Sequence, residues 1–181
     1  MSLPVIRTGR LEVRPVTPED LPAISAQIGE FDVAKMLAVV PHPYTLEDAQ
    51  GWFEQSWVRQ ADGARNFAID NGTGLIGVVS LGRPSETPNF GYWLGKAHWG
   101  RGYMSEAGRA ALGWLFVATE TQTVVSGALD ENTASLNVLS KLGFETAGPY
   151  TLAIRSRGQD LPGTRMKLTR TAFLSAAGDA P

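Results

Sequence analysis

Apolar and polar residues alternate over residues 10–16, with Leu11, Val13 and Pro15 against Glu12 and Arg14. A period of two predicts a half-buried strand. The period then lengthens: Leu21, Ile24 and Ile28 recur at helical spacing. Ahead of them, Thr17-Pro18-Glu19-Asp20 offers an N-cap, a proline at the first helical position and an acidic first turn. Residues 31–44 are less regular, with a short helix around FDVAKML and a proline-punctuated PHPY link. Thr45 with Asp48 three residues on is a capping-box-like start for a second long helix. Trp52, Phe53 and Trp57 give that helix an aromatic face, read as core.

Residues 65–70 and 75–81 are two strands joined by Asn71-Gly72-Thr73-Gly74, a hairpin signal. A further turn at 83–88 returns the chain into a strand from Phe90 to Leu94, so the middle of the chain is an antiparallel meander. A helix starts near Tyr103 or Met104, with Met104, Ala107, Gly108, Ala111 and Leu115 on one side. Glycine inside a helix costs about 1 kcal/mol against alanine, so this helix is expected to lie very close to a neighbour. Residues 123–129 form a strand, and Asp130-Glu131-Asn132 leads into a short helix ending Lys141-Leu142-Gly143-Phe144. Gly143 stands where a left-handed C′ residue is wanted. Two late strands are expected at 144–156, broken at Gly148-Pro149, and at 165–171. The pattern makes one domain over residues 7–173 and a small, polar, flexible tail at 174–181, fraying by Ala176.

Composition narrows the chemistry. The 181 residues suffice for a core without disulfides or metal staples, and 43% apolar with 19% charged residues is ordinary globular composition. With no cysteine, thiol nucleophiles and zinc–thiolate sites are excluded. Two histidines, His42 and His98, argue against a metal site. A net charge of −2 without a basic run leaves no nucleic-acid footprint. No apolar run suits a membrane span or a leader, so a soluble, cytoplasmic protein is expected.

The most informative stretch runs over residues 89–116, a strand, a glycine-broken loop and a helix. Gly100-Arg101-Gly102 sets a cation between two glycines at the helix mouth, and Ser105 adds a hydroxyl in the first turn. Helix N-termini carry unpaired N–H groups and a partial positive charge, and flanking glycines let the backbone close on a phosphate. A tight strand-to-helix turn alone would also explain the glycines. Gly100-x-Gly102-x-x-Ser105 nearly matches a dinucleotide fingerprint, with Asp130 as a ribose-binding acid, but that fingerprint belongs in a parallel βαβ unit. A Walker A loop is absent. Asn132, Ser135, Leu139 and Leu142 share one face of the short helix, which aims Asn132 and Ser135 toward the interior or a cleft. Asn132 is equally explained as an N-cap, and Ser135 as bonding the local backbone.

Four segments carry a family resemblance: TGRLEVRPVTPEDL, PHPYTLEDAQGWF, WLGKAHWGRGYMSEA and ENTASLNVLSKLGF. In this order they resemble the GNAT superfamily of acetyl-CoA-dependent N-acetyltransferases, in particular the branch acting on N-terminal amines of ribosomal proteins. The resemblance implies an α/β (α+β) fold: a mixed, mostly antiparallel sheet of six to seven strands, flanked by about four helices and splayed between the Phe90–Leu94 strand and the strand at 123–129. Coenzyme A would lie in that opening. Its pantetheine arm would bond the backbone around Tyr92, Trp93 and Leu94, and its pyrophosphate the N–H groups of Trp99, Gly100, Arg101, Gly102, Tyr103, Met104 and Ser105. Asn132 would contact the pantetheine arm, Asn137 would lie near the cofactor, and Ser135 would hydrogen-bond the departing sulfur, making Asn132 and Ser135 the catalytic candidates. His42 and Tyr44 would line the acceptor pocket. Two positions depart from the family pattern: Ala97 replaces the first polar residue of Gln/Arg-x-x-Gly-x-Gly/Ala, and Asn89 stands where many members carry a carboxylate.

The implied reaction moves an acetyl group to a primary amine, on a protein N-terminus or a small molecule, by direct attack in a ternary complex without a metal. An α-amine titrates near 7.7–8.0 and a lysine near 10.4, so a site without an evident base favours α-amines. His98, Glu12 and His42 are the remaining base candidates. An acyl-CoA-binding module without turnover is the alternative that Asn89 favours, and a nicotinamide-dependent enzyme is a third. Either a monomer or a homodimer is compatible with such a sheet.

Overall fold

A computed structural model describes residues 3–61, 63–83 and 87–178. Five strands form one antiparallel sheet in chain order: β1 (Ile6–Arg7), β2 (Glu12–Pro15), β3 (Arg65–Asp70), β4 (Leu75–Leu81) and β5 (Phe90–Leu94). Three more, β6 (Thr123–Leu129), β7 (Glu145–Ile154) and β8 (Gln159–Thr169), form a second sheet in the order β6-β8-β7. The α-helices are α1 (Leu21–Ile28), α2 (Phe31–Ala34), α3 (Leu46–Ala61), α4 (Tyr103–Ala118), α5 (Thr133–Lys141) and α6 (Arg170–Gly178).

Local signals set most of these boundaries. The Thr45–Asp48 capping box forms, with the Thr45 amide donating to the Asp48 carboxylate at 2.8 Å and the Asp48 amide donating to Thr45 Oγ1 at 3.2 Å. At the hairpin between β3 and β4, Asp70 accepts from the amides of Gly72 and Gly74, which both have positive φ. Gly143 is left-handed at φ 93°, and the Phe144 amide reaches back to the Leu139 carbonyl, closing α5. Thr17-Pro18-Glu19-Asp20 makes a 3₁₀ turn over Pro18–Asp20 before α1 begins. Asp20 then serves a second purpose: with Asp70 it takes up the Arg14 guanidinium, at 2.8 and 3.0 Å, tying β2, β3 and the start of α1 together.

Two cores sit on opposite faces of the five-stranded sheet. One face packs Phe67, Phe90 and Val79 against Ala107, Ala111, Leu112 and Leu115 of α4 and Leu139 and Leu142 around α5. The other packs Ala68, Val78 and Trp93 against Leu21, Ile24 and Ile28 of α1 and Val33 and Ala34 of α2. The expected tight approach of α4 is real: a Cβ on Gly108 would stand 2.9 Å from Leu142 Cδ1 and 3.1 Å from Phe90 Cζ.

The C-terminal third departs from expectation. β7 runs unbroken through Gly148-Pro149, because a bulge between Thr146 and Gly148 absorbs the irregularity at the sheet edge. β8 begins at Gln159, and residues 170–178, expected as strand end and tail, are the helix α6. The cause is tertiary. Phe173 is buried against Phe116, and Arg170 donates to the carbonyls of Thr121 and Thr119 at 3.1 and 2.5 Å, docking a segment with little amphipathic pattern of its own. The turn residues 84–86, residues 179–181 and the expected core side chain of Trp57 lie outside the described set.

Candidate active site

Among the described residues, the two sheets meet at one isolated parallel bridge, Asn89 with Val125, where the Val125 amide donates to the Pro88 carbonyl at 3.0 Å. Ser126, 6% exposed, fastens this apex by donating to the Phe90 carbonyl at 2.7 Å. Beyond it, β5 pairs only with β4 and β6 only with β8, so the parallel strands part into a V.

Register decides which backbone groups line the V. The Gly82 amide donates to the Asn89 carbonyl and the Gly95 amide to the Ile76 carbonyl, which makes 82/89 and 76/95 the hydrogen-bonded pairs of the β4–β5 ladder. By alternation 80/91 and 78/93 are also hydrogen-bonded pairs, while Phe90, Tyr92 and Leu94 turn their N–H and C=O toward β6. Phe90 is spent at the apex. The amides of Tyr92 and Leu94 therefore face the opening, whereas Trp93 is committed to β4.

At the wide end, Lys96–His98 form a 3₁₀ turn and the Trp99 indole N–H donates to the Leu94 carbonyl at 2.7 Å. Gly100 and Gly102 have φ 72° and 76°, left-handed values that strain any residue with a Cβ, and the space above Gly100 is open. Gly102 is the N-cap of the 16-residue α4, without a side-chain cap. Met104 is buried in the core and Ser105 half-buried, so Met104 has only its backbone to offer the opening. Arg101 is exposed, and its carbonyl is held by Arg10 Nη1 at 2.9 Å.

That contact belongs to a clasp with no local signature in the sequence. Arg10 also pairs with Glu106 at 2.7 Å and lies over the Tyr103 ring, 4.8 Å from its centroid. Thr8 donates to Glu106 at 2.5 Å. Burial alone would raise the Glu106 carboxyl, but the bonds from Thr8 and Arg10 outweigh it and hold it below its ordinary range.

On the facing wall, Asn132 caps α5, its Oδ1 accepting the Ser135 amide at 3.2 Å. Ser135 Oγ lies 2.7 Å from the Tyr92 hydroxyl, which also reaches the Ser135 carbonyl at 3.1 Å. Burial pushes the Tyr92 phenol up to about 12, against a smaller lowering by Ser135. Asn137 is exposed on the same helix.

The other side of the opening is assembled from distant pieces. The tip of the β7–β8 hairpin joins the α2 region, with the Arg155 amide donating to the Ala38 carbonyl at 2.9 Å and Ser156 Oγ to the Ala34 carbonyl at 3.1 Å. Asp32 of α2 binds Lys35 at 2.5 Å and Lys96 of the glycine loop at 2.6 Å, and these two ammonium groups lower its carboxyl to about 2. His42 is exposed beside Phe31, ring centroids 5.0 Å apart, and Tyr44 is half-buried, its phenol raised to about 12 by burial and by Asp48. Among the described residues, no hydrogen bond or ring contact joins either residue to Ser135 or Tyr92. Of the base candidates, Glu12 is in a surface pair with Arg7 at 3.2 Å, and His98 keeps Nδ1 buried without a partner. Among the described residues, no group of three or more His, Cys, Asp or Glu side chains could hold a metal ion, and no helix is long and apolar enough to cross a membrane.

A strand-lined V closed by a glycine turn and a helix N-terminus offers backbone N–H groups suited to an anionic ligand. The chain is an enzyme of the acetyltransferase (GNAT) domain family, which it matches over residues 10–145. It is 25% identical to the uncharacterized N-acetyltransferase p20 of Bacillus licheniformis over 147 residues, covering 78% of this chain and 82% of that one. Among solved structures, RimL, a ribosomal alpha-N-protein acetyltransferase in complex with coenzyme A, superposes with a TM-score of 0.82 at 20% identity, covering 93% of this chain and 99% of that one. RimJ of Mycobacterium smegmatis, in complex with CoA-disulfide, gives 0.78 at 20% identity over 97% and 93%. These likenesses establish the mixed, splayed fold.

Proposed function

We propose that the V binds acetyl-CoA and that the protein transfers its acetyl group to a primary amine, a protein N-terminal α-amine or a small-molecule amine, by direct attack in a ternary complex. The observation that carries this reading is the set of backbone donors along one path: the Tyr92 and Leu94 amides inside the V, then the turn from Gly100 through Ser105 at its end, the expected Trp99 amide being taken by the Lys96 carbonyl at 3.2 Å. A pantetheine arm presents amides to such a strand edge, and a pyrophosphate suits the N-terminus of a 16-residue helix. The open space above Gly100 fits a phosphate at the turn. Membership of the acetyltransferase family and likeness to coenzyme A complexes support the choice of cosubstrate.

In this reading the Tyr92 or Leu94 amide supports the negative charge that develops on the thioester oxygen. Ser135 donates a hydrogen bond to the sulfur as it leaves, and Asn132 holds Ser135 in place through its cap. Asn137 stands at the cofactor rim, and His42 and Tyr44 at the acceptor mouth. A thiol has a pKa near 8.5, so one hydrogen bond makes the thiolate an adequate leaving group. Asn89 supplies no base, which favours an α-amine that is already partly neutral near pH 7 over a lysine.

Calorimetric titration with acetyl-CoA, with NADH in parallel, tests the site. Binding of acetyl-CoA alone, followed by CoA release with peptides bearing free Ala or Ser N-termini, is the expected result. Binding without release from any amine would leave the non-catalytic acyl-CoA module, and no binding by the folded protein would refute the reading.

A further inference from the structure

We propose that the Tyr92 hydroxyl orients Ser135, so that the serine proton points at the sulfur of the bound cosubstrate; this rests on the acetyl-CoA reading above. Forty-three positions separate the two residues in sequence, and the V brings their hydroxyls to 2.7 Å.

The geometry gives the phenol proton two acceptors, Ser135 Oγ at 2.7 Å and the Ser135 carbonyl at 3.1 Å. When the phenol donates to the carbonyl, the serine hydroxyl donates to the phenol oxygen and its proton is turned away from the opening. When the phenol donates to Oγ, the serine proton is released toward the V. A serine in a first helical turn without such a partner bonds back to its own backbone or to water. Burial of Tyr92 keeps the phenol protonated and thus a donor across the whole working range. Tyr92 is a positioning residue here, since it acts through Ser135.

No proton leaves Tyr92 during the reaction. The amine nitrogen forms its bond to the acyl carbon, the carbon–sulfur bond breaks, and its electron pair departs on sulfur as a thiolate that accepts the Ser135 hydrogen bond. The surplus proton of the amine passes to water.

The test uses coenzyme A with its free thiol, so that it does not depend on knowing the acceptor. The thiol of bound coenzyme A is titrated by its ultraviolet thiolate absorbance in the wild type, Tyr92→Phe, Ser135→Ala and the double variant. The phenylalanine keeps the ring and its packing. A hydrogen bond to a charged group is worth about 1.5–3 kcal/mol, so each single variant should raise the bound thiol pKa by about one unit or more. The double variant should raise it no further, because both changes remove the same bond. Affinity for acetyl-CoA, whose sulfur carries no charge, should change less than about threefold, a difference under about 1 kcal/mol. A Tyr92→Phe protein with the wild-type thiol pKa would overturn the inference while leaving the acetyl-CoA reading intact. So would a double variant whose shift is the sum of the singles. Failure of the folded wild type to bind coenzyme A would overturn both.

Discussion

The two sides of the opening are built by different means. The proposed cosubstrate side is a continuous piece of chain, from Phe90 through the glycine turn into α4, and the groups it offers are mostly backbone N–H groups fixed by register and left-handed glycines. The proposed acceptor side gathers α2, the segment around His42 and Tyr44, and the β7–β8 hairpin tip, joined by contacts such as Arg155 to Ala38 and Ser156 to Ala34. A backbone site survives divergence of side chains, because the ladder and the glycines carry it. A side-chain pocket assembled from distant segments is free to change with the acceptor.

Four perturbations sharpen the contrast, the largest first. Arg14→Ala leaves Asp20 and Asp70 without the cation that ties β2, β3 and the start of α1 together, and breaking such a largely buried cluster costs about 3 kcal/mol or more. Urea unfolding should show that loss, while acetyl-CoA affinity in the folded fraction stays within about twofold if the cosubstrate side stands on its own ladder. Gly102→Val forces a β-branched residue to φ 76°, at about 1–2 kcal/mol, and displaces the turn that faces the phosphates. Acetyl-CoA titration should then show a loss of about tenfold or more.

Arg10→Ala opens the clasp on Glu106 and the Arg101 carbonyl. Arg10 is half-exposed, so about 1 kcal/mol, or roughly fivefold in the KM for acetyl-CoA, is expected in steady-state kinetics with kcat little changed. The smallest effect concerns Asp32, whose carboxyl is lowered to about 2 by Lys35 and Lys96. A lowered folded pKa contributes stability above the ordinary carboxylate pKa and loses it as pH falls toward about 2. Asp32→Asn should therefore lower the denaturation midpoint slightly at neutral pH and flatten the acid-side decline, so that variant and wild type converge as pH falls from about 4 to about 2.

Much of the fold was legible because its signals are local. The β3–β4–β5 meander, the Thr45 capping box, the Gly143 terminus and the small-residue face of α4 each depend on residues within a few positions of one another. The C-terminal region was not: α6 exists because Phe173 reaches Phe116 and Arg170 reaches Thr119 and Thr121, which no periodicity records. The site divides the same way. The glycine turn stands out in the sequence, but the three neighbouring residues Tyr92, Trp93 and Leu94 look alike there, and only register separates Trp93 from the other two. The Tyr92–Ser135 and Arg10–Glu106 contacts join residues 43 and 96 positions apart, and neither leaves a trace in spacing.

The central claim is that the Tyr92 and Leu94 amides, freed by the register of β5, receive the cosubstrate. Amide-resolved NMR during an acetyl-CoA titration reads it directly. Large shifts and slowed hydrogen exchange are expected at Tyr92 and Leu94 and in the Gly100–Gly102 turn, with Gly91 and Trp93 already protected by β4 before ligand is added. Acetyl-CoA binding that leaves the Tyr92 and Leu94 amides unmoved, or no binding at all, would contradict it.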